Sequence, residues 1–214
     1  MAVASTLGIV LALCRVYGGG TASGLALTYI EFMRGTPLLV QLYFIYYGLP
    51  QLGEALRPFF DQLGVPGLSR IFTLSSMTAG VAGVGLNYAA YEAEIYRAGI
   101  MAIPRSQSEA AAALGLTRFQ TIRLVVLPQA FRLVIPPVTN DFVALFKDTS
   151  IVSVVALQEL TDSFRKASTS TNRHMEFAIV TALIYFLLAY PLSRLARRLE
   201  KRIHPHHDHD TQPL

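Results

Sequence analysis

The chain has 214 residues, of which 52% are hydrophobic and 15% charged, whereas soluble domains carry about 25% charged residues. With a mean hydropathy of +0.42, this composition argues against an ordinary soluble domain. A single cysteine, Cys14, excludes a disulfide framework and a CxxC metal pair. The formal net charge of +4 fits the cytoplasmic-face excess of a membrane protein better than a nucleic-acid footprint.

The apolar residues are clustered. Residues 35–53, 71–91 and 177–193 form charge-free runs of 19, 21 and 17 residues, close to the roughly 20 needed to span a bilayer. In chain order, residues 1–14 are charge-free but too short to span. They lack the basic start and small-residue cleavage site of a signal peptide. They read as the inner part of a spanning helix whose beginning is short or missing. A second apolar unit runs from about residue 24 to 49 and carries Glu31 and Arg34 at a spacing that lets them pair on one helix face. Residues 50–70, with three prolines, read as a loop with a short surface helix. The third unit covers residues 71 to about 98 and the fourth about 128–158. The fifth covers about 176–193, before a basic and then His-rich end. Spans in lipid must satisfy their own backbone, so each is expected to be helical; the period-two alternation of a barrel is missing.

Lysine and arginine orient these units. Residues 97–132 hold five bases against Glu109, and residues 194–202 hold five against Glu200. Residues 50–70 and 159–176 are balanced. The positive-inside rule therefore puts the 97–132 loop and the C-terminus in the cytoplasm. The expected architecture is all-α and polytopic, with five transmembrane helices and the N-terminus outside. Residues 1–203 form one domain in this reading, with a cytoplasmic loop at about 99–128, and residues 204–214 form a disordered polar tail.

That loop, SEAAAALGLTRFQTIRLVVLP (108–128), has the grammar of two short helices. Ser106 and Glu109 fit a capping box, alanines favour helix over residues 107–114, and Gly115 is placed for the left-handed corner with Leu116 as its apolar contact. Thr117 and Gln120 fit a second box. Phe119, Ile122, Val125 and Val126 fall on one side of the second helix, which Pro128 ends or whose successor it starts. The alanines make the first helix thin, which suits docking of a partner.

Glu-Ala-Ala at 109–111, then Gly115, then Val125-x-Leu127-Pro128 resembles the EAA loop of ABC importer membrane subunits, with Val125 where the family usually has Ile. Three further stretches resemble the polar amino-acid permeases of that family: Tyr29-Ile-Glu31-Phe-Met-Arg34-Gly35-Thr36-Pro37, Ala90-Tyr91-Glu92-Ala93-Glu94-Ile-Tyr-Arg97, and Phe146-Lys147-Asp148-Thr149-Ser150. The likeness covers nearly the whole chain except the N-terminus, where the family has a longer first helix. It implies a type I ABC importer fold in a bacterial inner membrane, with a polar amino acid as cargo. It also implies a pore made with an identical or sister permease, an extracytoplasmic binding protein, and ATPase subunits docking on the loop. Glu109, Ala110, Ala111, Leu114, Gly115 and Leu116 are the expected contacts with that ATPase. ATP and Mg would be bound by that partner, since this chain has no GxxxxGK[ST] loop and no cofactor of its own is expected.

Ionisable and polar residues inside spans mark pathways or pairs. Asn87, Tyr91 and Glu94 share one face of the third unit, although Glu94 stands one turn from Arg97 and fits a local ion pair equally. Asn140 and Asp141 follow Pro136-Pro137, whose freed carbonyls can line a cavity. Asp141 is the preferred ligand for a substrate ammonium. Lys147 and Asp148 read as structural or gating residues, and Glu31 and Arg34 as a helix clasp. The His-rich tail, His204 to Asp210, is compositionally like a metal-binding tract but reads as a solvated tail. No Ser/His/Asp or Cys/His set supports covalent catalysis. The rival classes are an ion-coupled secondary carrier, which would show paired broken helices, a membrane enzyme, and a scaffold for cytoplasmic partners.

Overall fold

The computed structural model describes residues 1–203, and every regular element among them is helical. The His-rich tail lies outside the described residues. Helix α1 (Ala2–Tyr17) lies along α5 (Ser76–Met101). Ala4, Gly8 and Ala12 recur once per turn on α1, and all three are buried. A Cβ on Gly8 would stand 2.8 Å from the Glu92 Cβ and 3.2 Å from the Ala89 carbonyl oxygen. The two backbones are therefore in close contact. Between helices in lipid, where apolar burial contributes little, that van der Waals contact is a principal adhesive.

Helix α2 (Gly20–Gly35) stops at Thr36-Pro37. Proline disfavours helical backbone in the residue before it, and Thr36 is extended at φ −118, ψ 141. The chain re-enters helix at α3 (Leu38–Tyr43), passes through a π-helical turn (Phe44–Gly48), and continues as α4 (Leu49–Gln62). The apolar unit read at residues 24–49 is thus two helices with a break in the middle. The expected loop at 50–70 is mostly the end of this second helix and a 3-10 helix (Pro66–Phe72). They pack closely at Gly53, where a Cβ would come within 2.8 Å of the Ser69 carbonyl oxygen.

Helix α5 has 26 residues, about 39 Å at 1.5 Å per residue, and Ser75 caps it by accepting from the Thr78 amide at 3.2 Å. Short helices α6 (Arg105–Ala113) and α7 (Arg118–Thr121) follow. From α7 the chain runs through a second π turn (Ile122–Val126) into α8 (Leu127–Asp148) and a 3-10 turn (Thr149–Val155). Pro128 does not end this helix, which is unbroken over 38 residues. Proline lacks an amide and its ring crowds the carbonyl four residues back. A wide turn just upstream relieves both, and the same π turn precedes Leu49-Pro50.

Helices α9 (Leu160–Thr171) and α10 (His174–Ile203) complete the described residues. Arg118–Val155 and His174–Lys201 are long and apolar enough to cross a membrane by length and composition. The most apolar window of α10 is 0% buried, with Ile179, Leu183, Phe186 and Leu187 all exposed; a helix this apolar and uncovered belongs in lipid. The core gathers Ala4, Leu42, Val84, Tyr88, Leu145, Val152 and Val155, where α1, α3, α5, α8 and the 3-10 turn after α8 meet.

Candidate functional site

The break between α2 and α3 creates the site. Ending a helix strands its last carbonyls, and here side-chain amides satisfy them. Gln41 Nε2 donates to the Met33 carbonyl at 2.8 Å, the Thr36 carbonyl at 3.1 Å and Thr36 Oγ1 at 2.7 Å. Asn87 Nδ2 donates to the Met33 carbonyl at 3.2 Å and to Gln41 Oε1 at 3.1 Å. Both amide side chains are buried, so α5 braces the break.

Beside this brace lies a cavity of about 530 Å³ lined by residues 34–38 of the break, by Asn87, Tyr88 and Tyr91 of α5, and by Asp141, Ala144 and Asp148 of α8. A second space of about 420 Å³ shares Arg34, Tyr91 and Asp141 with it and adds Glu94 and Arg97. The Arg34 guanidinium sits 5.5 Å from the Tyr91 ring centroid, within cation–π range. The Tyr88 hydroxyl donates to Asp148 Oδ2 at 2.7 Å. The first cavity thus has one guanidinium and two carboxylates in its lining, and the second adds Glu94 and Arg97. Such a set offers a bidentate donor to a carboxylate and acceptors to an ammonium.

Of the residues singled out in the sequence, Asn87, Tyr91, Glu94 and Asp141 line these spaces. Asn87 does so with its donors committed to the brace. Both oxygens of Glu94 accept from Arg97, at 2.7 to 3.1 Å, so the local ion pair is the arrangement found. Asn140 is exposed and lines neither space. Among the described residues no ion pair joins Glu31 to Arg34. The clasp read from their spacing is replaced by Arg34 turning to Tyr91, and Glu31 is exposed. Asp148, read as structural or gating, lines the cavity as well as holding Tyr88. Arg34 and Asp148 were missed as lining residues because only the α2–α3 break brings them together; Thr36-Pro37 was the signal for it.

The corner between α6 and α7 is built largely as its residues dictate. Gly115 has φ +80, the Leu116 amide donates to the Ala111 carbonyl at 3.1 Å, and the Gly115 amide donates to that of Ala112 at 2.9 Å. This is the Schellman pattern. Thr117 and Gln120 form the reciprocal capping box. Ser106, however, is not a cap: α6 starts at Arg105, two residues earlier than expected, behind Pro104, since proline's extended backbone already sets the start. Glu109, Ala110, Leu114 and Gly115 are exposed, Leu114 at 82%. Ala111 is buried and Leu116 half-buried, because they sit on the inner side of the turn. Phe119, expected beside Val125 and Val126, is 69% exposed instead; the π turn rotates it off that side.

No group of three or more His, Cys, Asp or Glu side chains able to hold a metal occurs among the described residues. A family model described as binding-protein-dependent transport system inner membrane component matches residues 4–205. The glutamine transport system permease protein GlnP of Escherichia coli (strain K12) is 36% identical over 92% of this chain and 83% of its own length. The arginine transport system permease protein ArtQ of Bacillus subtilis (strain 168) is 36% identical over 92% of this chain and 82% of its own. The solved structure of an amino acid ABC transporter with histidines is 35% identical with a TM-score of 0.78, covering 94% of this chain and 86% of that one. The chain belongs to the family of binding-protein-dependent inner-membrane transport components and is an ABC importer permease of type I fold.

Proposed function

We propose that this chain carries a polar amino acid across the cytoplasmic membrane by alternating access, and that adjoining cavities bearing both a guanidinium and carboxylates are the observation that carries the reading. A free amino acid presents a carboxylate and an ammonium in every case. Arg34, beside the start of α3, suits the carboxylate, and Asp141 suits the ammonium. Amino-acid cargo is also what the names of the relatives state for those proteins. Tyr91 lines both spaces together with Arg34 and Asp141, offering an apolar ring with a polar tip.

In this reading α1, α2 with α3, α5, α8 and α10 are the five spans of one domain, with α4 and α9 outside and the α6–α7 corner and the C-terminus in the cytoplasm. The charge asymmetry of the loops supports it. A separate ATPase, which binds ATP and Mg, docks on the exposed surface of the corner, centred on Glu109, Ala110, Leu114 and Gly115. A second permease, identical or sister, completes the pore, and an extracytoplasmic binding protein delivers the cargo.

The test is to express the chain with the ATPase encoded beside it, purify through the permease, and reconstitute the complex with its binding protein. Retained ATPase and ATP-dependent uptake of radiolabelled L-arginine or L-glutamine are expected. Loss of the ATPase during purification, with uptake persisting after ATP depletion, would instead favour an ion-coupled carrier.

A further inference from the structure

The exposed corner must influence a cavity formed by the α2–α3 break, α5 and α8. One route is covalent, since α7 runs unbroken into α8 and so to Asp141. A second wall of the cavity belongs to α5, which carries Asn87, Tyr88 and Tyr91, and the α2–α3 break forms a third. Helix α5 is packed against α1 through Gly8, Ala12 and the small residues facing them. That closeness leaves little room for sliding, so α1 and α5 move as one body.

The cytoplasmic end of α1 reaches the corner at one aromatic residue. The Arg118 guanidinium lies 6.0 Å from the Tyr17 ring centroid. Arg118 is the first residue of α7 and follows directly on the Thr117 cap. Tyr17 is the last residue of α1, held at a fixed end: the Gly18 amide donates back to the Cys14 carbonyl at 3.0 Å, and Arg15 and Ser23 tie α1 to the start of α2 at 3.4 Å. Both partners therefore sit on anchored backbone.

We propose that Tyr17 and Arg118 are positioning residues that fasten the α1–α5 body to the docking corner, so that displacement of the corner moves the α5 and α8 walls of the cavity together. This rests on the reading of the corner as the ATPase dock. Arg118 grips through charge and ring face, so the tyrosine hydroxyl is not needed. A cation–π pair at an exposed site changes an equilibrium by about two- to five-fold, and the expected effect is of that size.

The experiment uses the reconstituted permease–ATPase–binding-protein complex and counts radiolabelled L-arginine or L-glutamine taken up per ATP hydrolysed. Tyr17→Leu and Arg118→Gln should each lower that ratio about two- to five-fold, while ATPase recovery on purification stays unchanged. Tyr17→Phe should keep the ratio, and the Tyr17→Leu/Arg118→Gln pair should be no worse than either change alone. An unchanged ratio in the single variants, a Phe variant as poor as Leu, or additive losses in the double variant would each overturn the proposal. Loss of the ATPase from Arg118→Gln, with Tyr17→Leu normal, would make Arg118 a docking contact and overturn it too. Failure of the unsubstituted chain to retain any ATPase would remove the dock itself, and this proposal with it.

Discussion

Replacing Gly115 with valine alters one quantity at the corner, the cost of a left-handed backbone. Gly115 holds φ +80, and a Cβ there would meet nothing within 4 Å. No packing clash contributes, so the whole effect is conformational. An L residue in the left-handed region costs about 1–2 kcal/mol, and a β-branched one is a clearer outlier still. That penalty lowers the ratio of bent to unbent corner by about 5- to 30-fold. If the bent corner is what docks, the apparent affinity for the ATPase falls with the bent fraction, by up to the same factor. Titrating ATPase onto immobilised permease in detergent measures this directly. Gly115→Asn is the control, because asparagine tolerates the left-handed conformation, and it should lose only a small part of the affinity. Unchanged binding by Gly115→Val, or equal losses for Val and Asn, would refute the argument that this φ sets the docking surface.

Asp141→Asn removes the negative charge proposed for the ammonium. Charged hydrogen bonds are worth about 1.5–3 kcal/mol, so ATP-driven uptake of arginine or glutamine at low concentration, both of which carry the α-ammonium, should fall about tenfold or more; unchanged uptake would refute that role for Asp141. Gly8→Leu must push α1 off Glu92 and Ala89, and overpacking of this kind costs about 1–3 kcal/mol. Its thermal midpoint in detergent should fall by several degrees while Gly24→Leu, with nothing within 4 Å, melts normally; identical midpoints would contradict the close packing. On α9, Lys166 at 2.6 Å and Arg165 at 2.7 Å hold the Asp162 carboxyl below its ordinary 3.8. A lowered folded value means the stabilisation is complete above 3.8 and is lost as pH falls through the folded value. The melting advantage over Asp162→Asn should therefore shrink on acidification below about pH 4, and an advantage that is constant with pH would count against the pairing.

The helical class was legible because charge-free runs of spanning length leave few alternatives in a bilayer. The corner was legible nearly residue by residue, since a glycine C-cap and a Thr-x-x-Gln box are local in sequence and need no tertiary information. The site was legible only in part. Asp141, Asn87 and Tyr91 stand out as polar residues among apolar neighbours, whatever the tertiary arrangement. Arg34 could not be assigned in the same way, because its helical neighbour Glu31 offers a local partner. The choice of the Tyr91 ring over Glu31 depends on how α2 packs on α5. Glu94 shows the opposite outcome: its local partner Arg97 was available and won. Asp148 was hidden because its role depends on Tyr88, sixty positions away.

The two π turns also bear on how these helices can be read and altered. A π turn holds one residue more than an α turn needs. Up to Val134 in the unbroken helix the buried positions are Thr121, Val126, Ala130 and Val134, a step of five and then steps of four. A residue therefore works as a spacer between Ile122 and Val126. Removing one position there would let the segment close into ordinary α-helix and turn everything downstream, Asp141 included, by about 100° about the helix axis. Substitution within Ile122–Val126 should be tolerated far better than deletion, because the identity of those side chains matters less to the cavity than their number.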